Sequence, residues 1–335
     1  MTNTITLNSN CYYSLLPQYS LTGVFFYAIS SRPVATMAIL RTHSKGGKSM
    51  YRQLFVFGSR ILGLNHVWQL SGKELWEELA SKPATAAEPS TKLRHEFEVV
   101  SEEYMEILVP KNFNLHKPTT IMLYLHGGGF IEPITAYHWH FIGDLVRNTD
   151  IPCAVLDYPL VPHATLDEIY ERVHQAIWRL RHTYDGCEVV LVGDSAGAQI
   201  ALGYVQLMEA FPIERIVAIS PMVDMTLANP DIVDAAKHDP VLSLNAMPDL
   251  IEAIRGTHDI GDPIVSPING NFDNQKILLI SGTRDLTNPD NRIFAKKFAD
   301  NVTYIEGTGL PHAYPIWPLT RNLAAKNQIY DFIMG

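Results

Sequence analysis

Cysteine is scarce in this chain: three residues among 335, at Cys11, Cys153 and Cys187. An odd number at such wide spacing forms neither a disulfide framework nor a zinc-ligand pattern, so the expected setting is reducing and cytoplasmic. Charge is also thin, at 18% of residues, and acidic groups outnumber basic ones to leave a net −9. A chain with that balance lacks the basic surface that phosphate backbones require, which excludes nucleic acid as a partner. Long apolar runs are missing too. The most apolar stretch, residues 21–40, is broken by Ser30, Ser31, Arg32 and Pro33. It falls short of the roughly 20 uninterrupted apolar residues of a membrane helix, so no stable membrane insertion is expected. No basic residue precedes it, unlike a secretory signal. There is no internal repeat and no low-complexity block. What remains is a 47% apolar fraction, enough in a chain of this length for a large core.

Acidic residues are absent from positions 1–49, although the whole chain holds 35. Arg32, Arg41, Lys45 and Lys48 are the charges there, and no amphipathic period runs through them. Three readings compete: an organellar transit peptide, an extension that folds onto the body, and a true translation start at Met50. The third is favoured, because Lys45-Gly46-Gly47-Lys48 can be encoded by a purine-rich ribosome-binding sequence ahead of the Met50 codon in a bacterial source. Gly47-Lys48-Ser49 is not a phosphate-binding loop, since that pattern needs glycine where Thr42 stands. The expected organisation is an N-terminal extension over 1–49, a helical cap and linker over 50–90, and a large α/β domain over 91–335.

Within 50–90, two short helices are expected, the second opening at Ser71 and Glu74, which have capping-box spacing ahead of Leu75 to Leu79. Residues 82–91, rich in Pro, Ala, Ser and Thr, read as a linker. Residues 96–100 and 104–109 alternate partly and form a predicted antiparallel edge hairpin. Beyond it, strands and helices alternate, which predicts a mostly parallel sheet covered on both faces. The predicted strands are 121–125, 153–156, 188–192, 216–219, 276–280 and 302–305. The clearest helix covers 166–184, with Ile169, Val173, Ile177 and Leu180 on one face. The long excursion over 222–275 is a candidate lid or binding wall.

Two motifs sit at the ends of predicted strands. Val189-Val190-Leu191-Val192 leads into Gly193-Asp194-Ser195-Ala196-Gly197, and the helical run from Gln199 follows. Strand, G-x-S-x-G, then helix is the setting of a nucleophile elbow, a strained turn that projects the serine hydroxyl and tolerates only small neighbours. Ile121 to Leu125 leads into His126-Gly127-Gly128-Gly129-Phe130, whose backbone N–H groups are free to face a cavity and receive an oxyanion. Asp285 follows the strand 276–280, and His312 follows the strand 302–305 in a glycine-marked loop. The order Ser195, Asp285, His312 is that of one of the three common serine-triad arrangements. Asp290 is the alternative acid, and His163 and His138 the alternative bases. His138 and His140, two apart on a helix, face apart and read as packing rather than a metal site.

With these residues in hand, the chain resembles the hormone-sensitive-lipase-like branch of α/β-hydrolases, which includes many bacterial carboxylesterases. The resemblance rests on His126 to Phe130, on Gly193 to Gly197, on Asp157-Tyr158-Pro159-Leu160-Val161-Pro162 and on Asp262 to Pro267. It implies an eight-stranded, mostly parallel sheet with helices on both faces, a small N-terminal helical cap, no metal and no organic cofactor. Two departures stand out. The family's Asp-Tyr-Arg-Leu-Ala-Pro-Glu has lost its arginine and glutamate, and the glycine usual after the elbow is Ala198. The expected reaction is serine-carboxylesterase hydrolysis of a small, short-acyl ester. Ser195 would be nucleophile, His312 base, Asp285 orienting acid, and Gly128, Gly129 and Ala196 the oxyanion donors. A small-molecule ester is the expected partner, with a homodimer as the assembly considered. An amidase or formamidase on the same triad is the nearest rival, and a catalytically silent ligand-binding member of the fold is the reading from another class.

Overall fold

A computed structural model describes residues 66–81, 85–114, 118–184, 186–207, 210–317 and 324–335. The expectations for residues 1–49, and those for 50–65, lie outside the described residues.

The strands form where apolar side chains alternate between two faces. In β3 (Thr120–Leu125), Ile121, Leu123 and Leu125 join one buried cluster, while Met122 and Tyr124 join another. β5 (Glu188–Asp194), β6 (Arg215–Ile219) and β7 (Lys276–Arg284) divide the same way: Leu191, Ile216 and Leu279 face the first cluster, and Val190, Val217 and Leu278 the second. A sheet buried on both faces reads as continuous apolar sequence, which is why these strands were visible as short runs. With β1 (Glu98–Glu102), β2 (Met105–Val109), β4 (Cys153–Leu156) and β8 (Val302–Pro311), they make one eight-stranded sheet in the order β1-β2-β4-β3-β5-β6-β7-β8. β1–β2 and β2–β4 pair antiparallel and the rest parallel.

Helices cover both faces. Before the sheet come a 3-10 turn at Val67–Gln69, α1 (Gly72–Ser81) and α2 (Thr91–Glu96). On one face lie α4 (Leu166–Thr183), α5 (Ala196–Tyr204) and α7 (Met247–Arg255), the last preceded by α6 (Asp231–His238). On the other lie α3 (Ala136–Thr149) and α9 (Ala324–Met334), while α8 (Asn288–Lys297), which links β7 to β8, buries Phe294 in the first cluster. α4 starts at a capping box, the Thr165 N–H donating to the Glu168 carboxylate at 2.7 Å.

The structure departs from the sequence reading in three places. Residues 91–96 form α2 rather than linker and strand start; the Ser90 hydroxyl accepts from the Leu93 N–H and caps it. The hairpin therefore begins two residues later than expected, at Glu98. β7 and β8 run past Ile280 and Ile305 to Arg284 and Pro311, so the glycine segment before His312 is a bulge within β8, with Gly309 at φ 68°, rather than a loop after the strand. Gly307 is there for packing: a Cβ on it would lie 2.6 Å from the Tyr314 ring.

α9 is fastened to α3 by a buried charge pair, Lys326 Nζ to Asp144 Oδ2 at 2.9 Å, with the Lys326 side chain 4% exposed. Removing one partner of such a pair leaves the other as an uncompensated buried charge. Asp144→Ala is expected to lower unfolding free energy by about 3–5 kcal/mol in urea melts. Asp144→Leu combined with Lys326→Met is expected to recover most of that loss.

Candidate active site

The parallel pairing of β3 with β5 sets Leu125 opposite Gly193, so the loops after both strands leave the sheet at one level. The chain turns at Ser195 with φ 52° and ψ −119°, a conformation that side chains rarely adopt, and enters α5 at once. The Ser195 N–H is held by the Ile219 carbonyl at 2.7 Å. Both flanking glycines are sterically required: a Cβ on Gly193 would sit 2.5 Å from the Gly197 carbonyl oxygen, and one on Gly197 would sit 1.9 Å from that of Leu125.

Ser195, His312 and Asp285 are brought together. Ser195 Oγ lies 2.8 Å from His312 Nε2, and His312 Nδ1 lies 2.9 Å from Asp285 Oδ1. Asp285 is fully buried, and the Thr287 N–H and hydroxyl also donate to its Oδ1, each at 2.9 Å. Burial disfavours the carboxylate, but the His312 ring overcomes this and holds Asp285 below its ordinary range. Burial likewise works against a charged His312, and the Asp285 carboxylate reverses it, so the imidazole is raised above 6.5. Asp290, the alternative acid, instead accepts from the Asn229 amide at 2.6 Å.

The first glycine of the His126 loop is locked to the elbow from behind. Asp194 Oδ1 accepts the Gly127 N–H at 3.0 Å and the Tyr124 hydroxyl at 2.6 Å. His138 stands on the far side of that carboxylate, its Nε2 3.4 Å from Asp194 Oδ2. Its Nδ1 accepts the Thr135 N–H at 2.9 Å, so in the neutral ring Nε2 carries the proton and faces Asp194. His138 thus packs at the start of α3 and supports the elbow as well. His126 stacks on Tyr158 with ring centroids 4.3 Å apart, and burial together with His138 pushes it down to about 4.

Gly128 and Gly129 take φ of 126° and 59°. Gly129 and Ala196 border the cavity beside Ser195, and the carbonyl of the neighbouring Gly128 accepts the Ile131 and Glu132 N–H groups. The cavity measures about 30 Å³ and is otherwise lined by Trp68, Met222, Met225, Leu242, Met247 and Leu250, among others. Trp68 covers the loop so closely that a Cβ on Gly129 would meet its ring at 2.0 Å. The 67–72 segment is tied to the start of α7: the Trp68 carbonyl accepts from the Ala246 N–H at 3.3 Å, and the Gly72 N–H donates to Asp249 at 2.7 Å. Trp68 falls in the stretch read from sequence as a buried cap, whereas Asp239, a further buried carboxylate near His312, lies outside any motif. Among the described residues, the one His and carboxylate grouping tight enough to share an ion is Asp239, Asp285 and His312. Both ring nitrogens of His312 already face protein partners, Asp285 and Ser195.

With this geometry in view, the relatives fall into place. A family profile described as the alpha/beta hydrolase fold matches residues 122–316, and the chain belongs to that family. Its similarity extends to the hormone-sensitive-lipase-like branch. An esterase of Acinetobacter venetianus is 30% identical over 190 residues, 53% of this chain and 61% of its own length. Esterase LipU of Mycobacterium tuberculosis is 26% identical over 63% of this chain and 69% of its own, and mouse hormone-sensitive lipase 24% identical over 45% and 21%. The chain thus spans about three-fifths of the length of the Acinetobacter relative. The solved structure of a hormone-sensitive lipase from a metagenome library superposes with a TM-score of 0.69 at 18% identity, covering 86% of this chain and 97% of that one.

Asp194→Ala strands the Gly127 N–H and the Tyr124 hydroxyl in a buried site. It is expected to reduce stability by about 1–3 kcal/mol, read from urea unfolding.

Proposed function

We propose that the protein is a serine carboxylesterase that hydrolyses small, short-acyl esters through an acyl-enzyme. One observation carries the reading: a single imidazole bridges the strained serine hydroxyl, at 2.8 Å, and a buried carboxylate, at 2.9 Å. As Ser195 Oγ bonds to the ester carbonyl carbon, His312 Nε2 takes its proton. Asp285 keeps the ring in the tautomer with hydrogen on Nδ1 and stabilises the imidazolium without taking that proton. The carbonyl oxygen, now an anion, is received by the N–H groups of Gly128, Gly129 and Ala196, each such donor being worth about 2.7–4 kcal/mol of barrier. The C–O bond to the alcohol breaks, and the alcohol leaves with the proton from His312. Water then repeats the sequence on the acyl-enzyme and restores Ser195.

The esterase names of the Acinetobacter and Mycobacterium relatives favour ester over amide. The small cavity, roofed by Trp68 and walled by apolar side chains, favours a short acyl group. The lining offers apolar contact rather than charge, so selectivity would rest on acyl size.

The test is hydrolysis of p-nitrophenyl esters from acetate to palmitate. Turnover is expected to peak at short chains and to fall by on the order of 10⁴-fold or more in Ser195→Ala. Trp68→Ala is expected to move the peak toward longer chains. Absence of turnover on every ester, or turnover that survives in Ser195→Ala, would overturn the reading.

A further inference from the structure

We propose that Asp239 is a positioning residue for this reaction: a second buried carboxylate that braces the Asp285 loop and raises the proton affinity of His312. The inference rests on the triad reading above. Asp239 follows α6, in the excursion between β6 and β7, and is 5% exposed. Its Oδ1 accepts the N–H groups of Val241 at 2.7 Å and Leu242 at 3.0 Å, and its Oδ2 that of Leu286 at 2.8 Å. Leu242 borders the cavity, and Leu286 is the residue directly after Asp285. One carboxylate therefore ties the cavity wall to the loop that presents the triad acid.

Three backbone donors on one carboxylate stabilise its anion. That matters because of what lies beside it. Donor atoms of Asp239, Asp285 and His312 all fall within 4.8 Å of one another. Asp285 uses Oδ1 for His312 and Thr287, and the Ser220 hydroxyl adds to the stabilisation of its carboxylate. His312 consequently faces negative charge from three elements: Asp285 at the end of β7, Asp239 after α6, and Asp194 at the elbow. The nearby cations are turned elsewhere, Arg284 toward the His238 carbonyl and Lys237 toward Asp234. Burial, and then the Asp285 carboxylate, push Asp239 up to about 6, so its charge is present at neutral pH and fades in mild acid.

The sign follows from electrostatics. An anion close to the ring favours imidazolium over imidazole, which makes His312 a stronger base and raises the pH below which it is protonated and idle. Removing that anion must lower the His312 titration midpoint.

Two variants test this. Asp239→Asn keeps the shape, and Asp239→Ser keeps a hydroxyl acceptor for the turn at Val241, so whichever folds decides. The His312 Nδ1–H resonance is followed by proton NMR against pH, alongside the acid limb of kcat/KM on p-nitrophenyl acetate. Both midpoints are expected to move to lower pH by about one unit. A fall in rate with an unmoved midpoint, or a midpoint that rises, would make Asp239 a purely structural brace and overturn the inference. Wild-type protein with no ester turnover would instead overturn the esterase reading, and the NMR midpoint would still decide the role of Asp239.

Discussion

The architecture of the site hangs on one steric contact, the passage of the Leu125 carbonyl across Gly197. Any side chain at position 197 would begin 1.9 Å from that oxygen. Because none is there, the first turn of α5 closes directly over the end of β3. Ser195 is thereby forced to a positive φ, and the loop that begins at His126 starts beside it. Strain at one residue persists only where the surroundings over-determine it. Here the surroundings are the two central strands of an eight-stranded sheet, buried on both faces.

Around that contact the molecule spends its buried polar groups in two places. Asp194 gathers the Gly127 N–H, the Tyr124 hydroxyl and the His138 ring, making a polar knot behind the elbow. In front, Asp285 and Asp239 collect backbone donors from the loops that approach His312. Buried carboxylates are costly unless donors reach them; Asp194 and Asp285 are met by a mixture of backbone and side-chain donors, and Asp239 by backbone N–H groups alone. The backbone donors around Asp239 cannot change rotamer, so that carboxylate is held by the fold itself.

Most of the fold and the heart of the site could be read from the chain. The parallel strands are short runs of apolar residues because both their faces are covered. Gly193, Ser195 and Gly197 were recognisable because a strand precedes them and a helix follows, and Asp285 and His312 because each comes after a strand. What could not be read depended on separation along the chain. Asp239 meets the Leu286 N–H across 47 positions, with no motif to announce it. Trp68 belongs to a 3-10 turn whose importance lies in the glycine beneath it. The glycines of β8 were half legible: Gly307 and Gly309 look like a break, and what they mark is a bulge inside the strand. In the sheet, Gly307 makes room for Tyr314, and the Gly309 N–H donates to the Thr283 hydroxyl at 2.7 Å.

The Lys326–Asp144 pair has a consequence for how the protein is made. Its two members are 182 positions apart, and the helix bearing Lys326 emerges after every strand of the sheet. During synthesis the Asp144 carboxylate must wait beside the growing sheet, with the adjacent Arg147 at 2.6 Å as a counter-ion until Lys326 arrives. The same delay holds for His312, which joins Ser195 across 117 positions. Nascent chains halted before these residues would carry an elbow with no base and a carboxylate seeking a cation, a form suited to capture by chaperones. The α9 helix is in this sense the closing stitch of the domain, and Ser195 meets His312 only shortly before that stitch is made.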